Sequence, residues 1–245
     1  MSRPLALLLH SGGLTSRQWR KLGEQLAVTH EVLAPDLLGY GAQPWPPGQP
    51  FHFRQDVERL AGMLDRPADL VGHSYGGLLA LQLALAHPGR VRALALYEPV
   101  AFGVLGEADA DLRAKLALPA YRADAAGLDE AWLEAFIDWW NGAGAWRALP
   151  ELTRAGFRAV GWKLSQEVAS LVGDRTGAER YAQITAPTLL LGGQLTPMTE
   201  QRTLQRLAEA LPHARLELLR GMGHMGPITH AEVVNTAIAA HLSSR

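Results

Sequence analysis

Short apolar runs alternate with helical patterns along the first hundred residues. The apolar runs predict strands over residues 5–10, 31–35, 69–72 and 91–98. The segments between them carry apolar residues at helical spacing and predict helices over 15–27, 53–64 and 75–88. Two further strands are predicted over 188–192 and 215–219, each followed by a helix. Continuous apolar strands separated by helices indicate an α/β fold with a mostly parallel, doubly wound sheet.

The strand pattern stops between residues 101 and 184, where the chain becomes helical. We therefore predict a core of residues 1–100 and 185–245, with a helical cap of residues 101–184 inserted over the carboxyl ends of the strands. Most aromatic side chains of the cap are expected to attach it to the core. Ligands of open α/β sheets bind beyond these strand ends, so a minority should line an apolar pocket. The pocket residues predicted among the cap tryptophans are Trp139, Trp140 and Trp162.

Composition narrows the possible partners. Apolar residues make up 48% of the chain and charged residues 19%, and the formal net charge is −1. This balance is typical of a globular enzyme and argues against binding to nucleic acid or to acidic membranes. The chain has no cysteine, which excludes disulfides and thiol catalysis. The apolar run near the N-terminus is too short for a signal sequence, and no stretch approaches a membrane span, so a cytoplasmic location is expected.

A nucleophile is indicated by "VGHSYGG" at residues 71–77, where Gly72, Ser74 and Gly76 match the pattern G-x-S-x-G. An apolar strand precedes the motif and an apolar helix follows it, which is the context that makes the pattern specific. The helix N-terminus directs free amides and partial positive charge at the serine. We predict Ser74 as the nucleophile.

Four motifs together resemble those of the α/β-hydrolase superfamily over nearly the whole chain. They are "LLLHSGG", "PDLLGYG" at 35–41, "GHSYGG" and "GMGHMGP" at 221–227. The sheet departs from the family pattern by starting directly at the strand before "HSGG", without the usual leading hairpin. The resemblance implies an oxyanion hole formed by the amides of Gly12 and Tyr75.

The general base is predicted to be His224, which follows an apolar strand in a loop framed by glycines. Such a loop can bring the imidazole over the sheet edge towards Ser74. His10 is expected to brace the loop after the first strand. His73 adjoins the nucleophile, and its side chain should point away from Ser74.

The acid of the triad is not where the family usually places it. The turn after the strand at 188–192 reads Gln-Leu-Thr, with Thr196 roughly where an aspartate would fall. Glu98 ends the strand that follows the nucleophile helix, and this strand should lie beside the nucleophile strand. Some family members, including certain haloalkane dehalogenases, place their acid at this strand end. We predict Glu98 as the acid, the alternative being a structural role at the strand terminus.

Two other carboxylates, Asp36 and Glu200, are weaker candidates for the same role. Asp36 in "PDLLGYG" is expected to accept hydrogen bonds from turn amides. Glu200 lies at the start of a helix, where the helix dipole alone explains a carboxylate.

These residues predict a serine hydrolase that acts through an acyl-enzyme on a small to medium apolar ester or related acyl compound. Neither a cofactor nor a metal is predicted, because His224 and His230 lack a carboxylate at ligand spacing. One alternative is a carbon–carbon hydrolase of the ring-cleavage-product type, in which Arg154 and Arg158 could hold a substrate carboxylate. A solvated helix face is the preferred interpretation of that pair. The other alternative is a non-catalytic receptor or interaction protein with a hydrolase fold.

Overall fold

The computed structural model describes residues 3–117 and 129–243. In these ranges six strands form one parallel sheet with the order β2-β1-β3-β4-β5-β6. The strands are β1 Leu5–Leu9, β2 Glu31–Leu33, β3 Ala68–His73, β4 Val91–Tyr97, β5 Thr188–Gly193 and β6 Ala214–Leu219. The predicted fold class is confirmed, and β4 lies beside β3 as expected. Three of the strands (β1, β3 and β5) are buried along their full length.

Helices cover both faces of the sheet. The core helices are α1 Arg20–Leu26, α2 Phe53–Ala61, α3 Tyr75–Ala86, α9 Met198–Ala210, α10 Gly226–Thr229 and α11 Ala231–Ser243. Side chains alternate between the faces: Leu8 and Val71 pack with α1 and α11, whereas Leu7 and Leu70 pack with α2 and α3. The predicted helix over 15–27 begins with a 3₁₀ turn over Ser16–Trp19.

The described residues between β4 and β5 form helices and 3₁₀ turns without any strand. The helices are α4 Ala110–Lys115, α5 Glu130–Asn141, α6 Ala145–Ala148, α7 Glu151–Gly173 and α8 Ala178–Tyr181. Trp132 and Trp146 are buried in the same apolar cluster as α3, which explains how this segment attaches to the core. Residues 118–128 of the predicted cap lie outside the described residues, and its boundaries at 101 and 184 stay predictions.

The helices are too short or too polar to span a membrane in the described part of the chain, residues 3–117 and 129–243. The cytoplasmic location stays a prediction.

The turn from β3 into α3 depends on close backbone packing. Gly76 lies against the carbonyl oxygens of Leu9 and His10, at the end of β1. A Cβ atom at this position would overlap both carbonyl groups, which belong to the backbone and cannot rotate away. Glycine at 76 therefore lets the first turn of α3 lie directly against the loop after β1.

We expect Gly76→Ala to lower the free energy of unfolding by about 1–3 kcal/mol, because the added methyl group overpacks the site. Urea unfolding followed by tryptophan fluorescence measures the change. Gly89→Ala is the matched control, since a Cβ there has no neighbour within 4 Å. Equal unfolding midpoints for the two variants would contradict this account of the turn.

Candidate active site

Ser74 occupies a strained position between β3 and α3. Its backbone has φ 54° and ψ −114°, a left-handed φ that is uncommon for a residue with a side chain. The Ser74 amide donates to the Tyr97 carbonyl at 2.9 Å, and the Ser74 carbonyl accepts from the Gly77 amide at 2.9 Å. These bonds hold the conformation, which places the hydroxyl group at the carboxyl edge of the sheet.

His224 lies in the loop after β6 and contacts the serine. Its Nε2 atom is 3.0 Å from Ser74 Oγ. Two buried side chains bind the backbone of this loop. His73 Nε2 donates to the His224 carbonyl at 2.9 Å, and Tyr97 Oη donates to the Gly223 carbonyl at 2.8 Å. The ring of Trp140 stacks on the imidazole, with centroids 4.0 Å apart and planes 24° from parallel.

His73 supports the site from beneath it. Its Nδ1 atom accepts from the Gln18 amide group at 3.1 Å, so Nε2 carries the proton that binds His224. Burial holds the pKa of His73 well below its usual range, with a further lowering from the nearby His224. His73 is therefore neutral. Its ring bonds Gln18 and the His224 carbonyl and, among the described residues, makes no hydrogen bond to Ser74, in agreement with the prediction that it points away from the serine.

Glu98 follows β4 and completes a continuous chain of hydrogen bonds. Its Oε2 atom is 2.7 Å from His224 Nδ1. The carboxylate also accepts from the Gly193 amide and the Thr196 hydroxyl, both at 2.7 Å. Glu98 is fully buried, and its φ of 45° makes it the other non-glycine residue in the described chain with a left-handed φ. Three donors therefore converge on this one buried carboxyl group.

Thr196 occupies the turn after β5, roughly where an aspartate would fall in the family. Its hydroxyl lies next to His224 as one of the donors to Glu98, so the turn after β5 supplies a partner for the carboxylate instead of the carboxylate itself.

Glu200 differs from its prediction as an ordinary carboxylate at a helix N-terminus. It lies in the first turn of α9, fully buried, and neither carboxyl oxygen has a hydrogen-bond partner in the described chain. Burial, together with the nearby charge of Glu98, raises the pKa of Glu200 well above its usual range. Burial without a donor therefore favours the protonated form of this carboxyl group.

Gly12 and Tyr75 line the same cavity as Ser74. The Gly12 amide makes no hydrogen bond to the described residues. Tyr75 is the first residue of α3, so its amide has no partner within the helix. Both amides are available near the serine, as the predicted oxyanion hole requires.

His10 and Asp36 hold the loops around this site. His10 Nε2 accepts from the Leu37 amide at 3.0 Å and Nδ1 lies 2.8 Å from the Ser11 carbonyl, which braces the loop after β1 as predicted. Asp36 accepts the amides of Ser16 and Ala42, at 2.8 and 3.0 Å, in agreement with its expected role in the turn. Burial lowers the pKa of His10 to about 4, so this histidine is neutral near pH 7.

A cavity of about 390 Å³ opens above Ser74. Its walls are mostly apolar and include Val100, Phe136, Trp140, Phe157 and Val168. In the described part of the chain, none of the lining residues is lysine or arginine.

Of the three predicted pocket tryptophans, only Trp140 lines this cavity. Successive residues of a helix point about 100° apart, so Trp139 turns away from the cavity when Trp140 faces it. Trp162 lies off the cavity-facing side of α7, and its Nε1 atom donates to the Gln49 carbonyl at 3.3 Å. The prediction of Trp139 and Trp162 as wall residues therefore requires correction. Phe136 and Phe157 line the cavity and were not predicted, because the sequence does not fix the rotation of each helix.

Arg154 and Arg158 lie on the outer face of α7. Both pair with Glu130 and Glu151: Arg154 lies 2.8 Å from Glu151, and Arg158 lies 3.4 Å from Glu130. Both side chains are partly exposed, and neither is among the described residues that line the cavity, which favours the interpretation of a helix surface over a substrate-binding role. Over the described ranges, no group of three or more histidine, aspartate or glutamate side chains is arranged to hold a metal ion.

Comparison with known proteins places the chain in a family. The family model described as "Alpha/beta hydrolase family" matches residues 6–237. The chain belongs to the alpha/beta hydrolase family. Within this family it is a hydrolase, and the resemblance indicated by its motifs is confirmed.

Relatives and solved structures agree with this assignment. A pimeloyl-[acyl-carrier protein] methyl ester esterase of Neisseria meningitidis is 31% identical over 234 residues, which is 92% of this chain and 72% of that protein. A 2-hydroxymuconate semialdehyde hydrolase of Pseudomonas is 41% identical over 99 residues, covering 38% and 35% of the two chains. The crystal structure of a hydrolase from Pseudomonas aeruginosa is 28% identical, with a TM-score of 0.76 over 98% of this alpha/beta hydrolase and 90% of that chain.

Acid should destabilise the protein through His10. Its pKa falls from 6.5 to about 4 on folding, so the unfolded chain binds more protons between these values. The contribution of His10 to the free energy of unfolding is therefore fully present above pH 6.5. It is lost as the pH falls towards 4 and amounts to about 3 kcal/mol. In His10→Gln, thermal unfolding should depend less steeply on pH between 7 and 4.5. The exposed His87→Gln should retain the wild-type slope, and an unchanged slope in His10→Gln would contradict the argument.

Proposed function

We propose that this alpha/beta hydrolase cleaves a carboxylic ester with an apolar acyl chain, using Ser74, His224 and Glu98 as its catalytic triad. The observation that carries the proposal is the hydrogen-bond chain from Ser74 Oγ through both nitrogen atoms of His224 to Glu98, at the floor of an apolar cavity. A serine activated by an adjacent base and a third orienting group is the arrangement of a nucleophilic hydrolase.

The first half of the proposed reaction forms an acyl-enzyme. Glu98 fixes the proton of His224 on Nδ1, so Nε2 is free to accept the proton of Ser74. As Oγ attacks the ester carbon, the proton moves to Nε2, and the nearby carboxylate stabilises the imidazolium. The carbonyl oxygen becomes negative and is bound by the amides of Gly12 and Tyr75.

The second half releases the products. His224 donates its proton to the leaving alkoxide as the carbon–oxygen bond breaks, and an alcohol departs. Water then enters, loses a proton to Nε2 and attacks the acyl carbon. Collapse of this intermediate returns the proton to Ser74 Oγ and frees the carboxylic acid.

Two features support an ester substrate over a ring-cleavage product. The Neisseria relative, which matches most of this chain, is named as an ester hydrolase, and we carry over the ester class without its carrier protein. The Pseudomonas relative is named as a hydrolase of a muconate semialdehyde, a carboxylate, but it matches only 38% of this chain. The described residues that line the cavity include no lysine or arginine to bind a substrate carboxylate, and they include the acidic residue Glu167. Carbon–carbon hydrolysis is therefore the second candidate.

Ser74→Ala should abolish hydrolysis of p-nitrophenyl esters with four to eight carbons in the acyl chain. It should also abolish covalent labelling by a fluorophosphonate probe, because the attacking oxygen is gone. Intact-mass spectrometry measures the label and absorbance measures turnover. A wild type that neither labels nor turns over these esters would contradict the proposal. Faster cleavage of a vinylogous diketone than of any ester would favour the second candidate.

Glu98→Gln should lower kcat by about 10²–10⁴, because an amide neither neutralises the imidazolium nor secures the required tautomer. The matched control is Glu200→Gln, a buried glutamate whose raised pKa favours the neutral form, so an amide is a close substitute for it. Its kcat should remain within about threefold of wild type. Circular dichroism confirms that both variants fold. A folded Glu98→Gln enzyme with near-normal kcat would exclude Glu98 as the acid.

A further inference from the structure

A buried polar cluster connects helix α7 of the inserted segment to the core. It consists of Tyr40, Asp56, Tyr75, Lys163 and Glu167. Lys163 Nζ lies 2.6 Å from Glu167 Oε2 and 3.7 Å from Asp56 Oδ2, and both members of the closer pair are 2% exposed. Tyr75 Oη donates to Asp56 at 2.8 Å, and the ammonium group lies over the rings of Tyr40 and Tyr75. The proposed catalytic steps use none of these side-chain groups.

The two carboxyl oxygens of Glu167 have different surroundings. Oε2 accepts hydrogen bonds from Lys163 Nζ at 2.6 Å and from Tyr40 Oη at 2.8 Å. Oε1 makes no hydrogen bond to the described residues, and Glu167 lines the cavity above Ser74. The cluster therefore fixes the carboxyl group through one oxygen and leaves the other free at the cavity wall.

The free oxygen lies beside the proposed oxyanion hole. A Cβ atom built on Gly12 would overlap Glu167 Oε1, so this oxygen borders the residue whose amide is proposed to bind the ester carbonyl. A group that reaches Oε1 must be only a few bonds from that carbonyl. Among the described residues that line the cavity, Glu167 carries the one carboxyl group.

We propose that Glu167 Oε1 binds a hydroxyl group on the second or third carbon of the acyl chain, so that the preferred substrates are esters of hydroxy acids. This inference rests on the proposed ester hydrolysis and adds a specificity-determining residue to it. A hydroxyl group fits because it donates to a carboxylate and accepts from a carboxylic acid. A carboxylate in the same place would be repelled by an ionised Glu167.

The pKa of Glu167 lies above its usual range, although several neighbours oppose this shift. Burial raises its pKa, while the charge of Lys163 and the hydrogen bonds from Lys163 and Tyr40 act to lower it. Because those donors occupy Oε2, a bound proton would sit on Oε1. A hydroxyl group can form a hydrogen bond with Oε1 whether Glu167 is ionised or protonated. A ketone or an ether can only accept one, so it binds only the protonated form.

An unsubstituted acyl chain would leave Oε1 without a partner after water is displaced. An unpaired polar group in a desolvated site is costly, and a hydrogen bond to a charged group is stronger than a neutral one. We therefore expect a preference for the hydroxylated acyl chain on the order of tenfold in kcat/KM, beyond any difference in intrinsic reactivity.

The test compares p-nitrophenyl 3-hydroxybutanoate with p-nitrophenyl butanoate. The ratio of their kcat/KM values is measured for wild type, for Glu167→Gln and for the double variant Lys163→Met with Glu167→Leu, which removes both charges together. Intrinsic ester reactivity is the same for every enzyme and cancels when these ratios are compared. The ratio should fall about threefold in Glu167→Gln and about tenfold in the double variant.

Glu151→Gln is the matched control, since this exposed glutamate lies in the first turn of the same helix and should leave the ratio unchanged. If the double variant does not fold by circular dichroism, the isosteric Glu167→Gln decides the question. Turnover of both esters with the same ratio in wild type and in folded variants would overturn the hydroxyl site and leave the proposed function intact. Absence of wild-type turnover on both esters, without fluorophosphonate labelling, would overturn the proposed function and this inference with it.

Discussion

The burial of one carboxylate organises the candidate site. Glu98 is removed from water, so its charge requires compensation by donors from the protein. The Gly193 amide, the Thr196 hydroxyl and His224 Nδ1 supply them, all at 2.7 Å. These donors come from β5, from the turn after it and from the loop after β6. Loss of this carboxylate would leave all three without their acceptor.

The sheet was predictable from the sequence for a physical reason. Strands buried on both faces are continuous apolar runs, so they stand out from the surrounding helices. Parallel strands end at the same edge, so Ser74 and Glu98, which end adjacent strands, were predictable as neighbours. The observed strand ends differ from the predicted ones by up to two residues. For instance, the second strand is predicted to end at Pro35 and ends at Leu33.

Side-chain depth and helix rotation could not be predicted in the same way. Lys163 and Glu167 are four residues apart on a helix, which is the usual pattern of a solvated ion pair, yet both are buried. Glu200 has the position of a dipole-stabilised carboxylate, but no donor of the described residues reaches it. Trp139 was assigned to the pocket because the pattern shows a helix without showing which side meets the sheet. Each of these depends on the packing of elements distant in sequence.

The stacking of Trp140 on His224 limits which segments of the chain can be deleted. The indole belongs to α5 of the inserted segment, while the imidazole belongs to the loop after β6. One face of the histidine ring is therefore covered by a part of the chain that the sheet does not need for its own hydrogen bonding. A shortened protein that joined β4 directly to β5 would expose this ring to water and lose a wall of the cavity. The inserted helices are thus not a removable module, and the smallest working unit includes them.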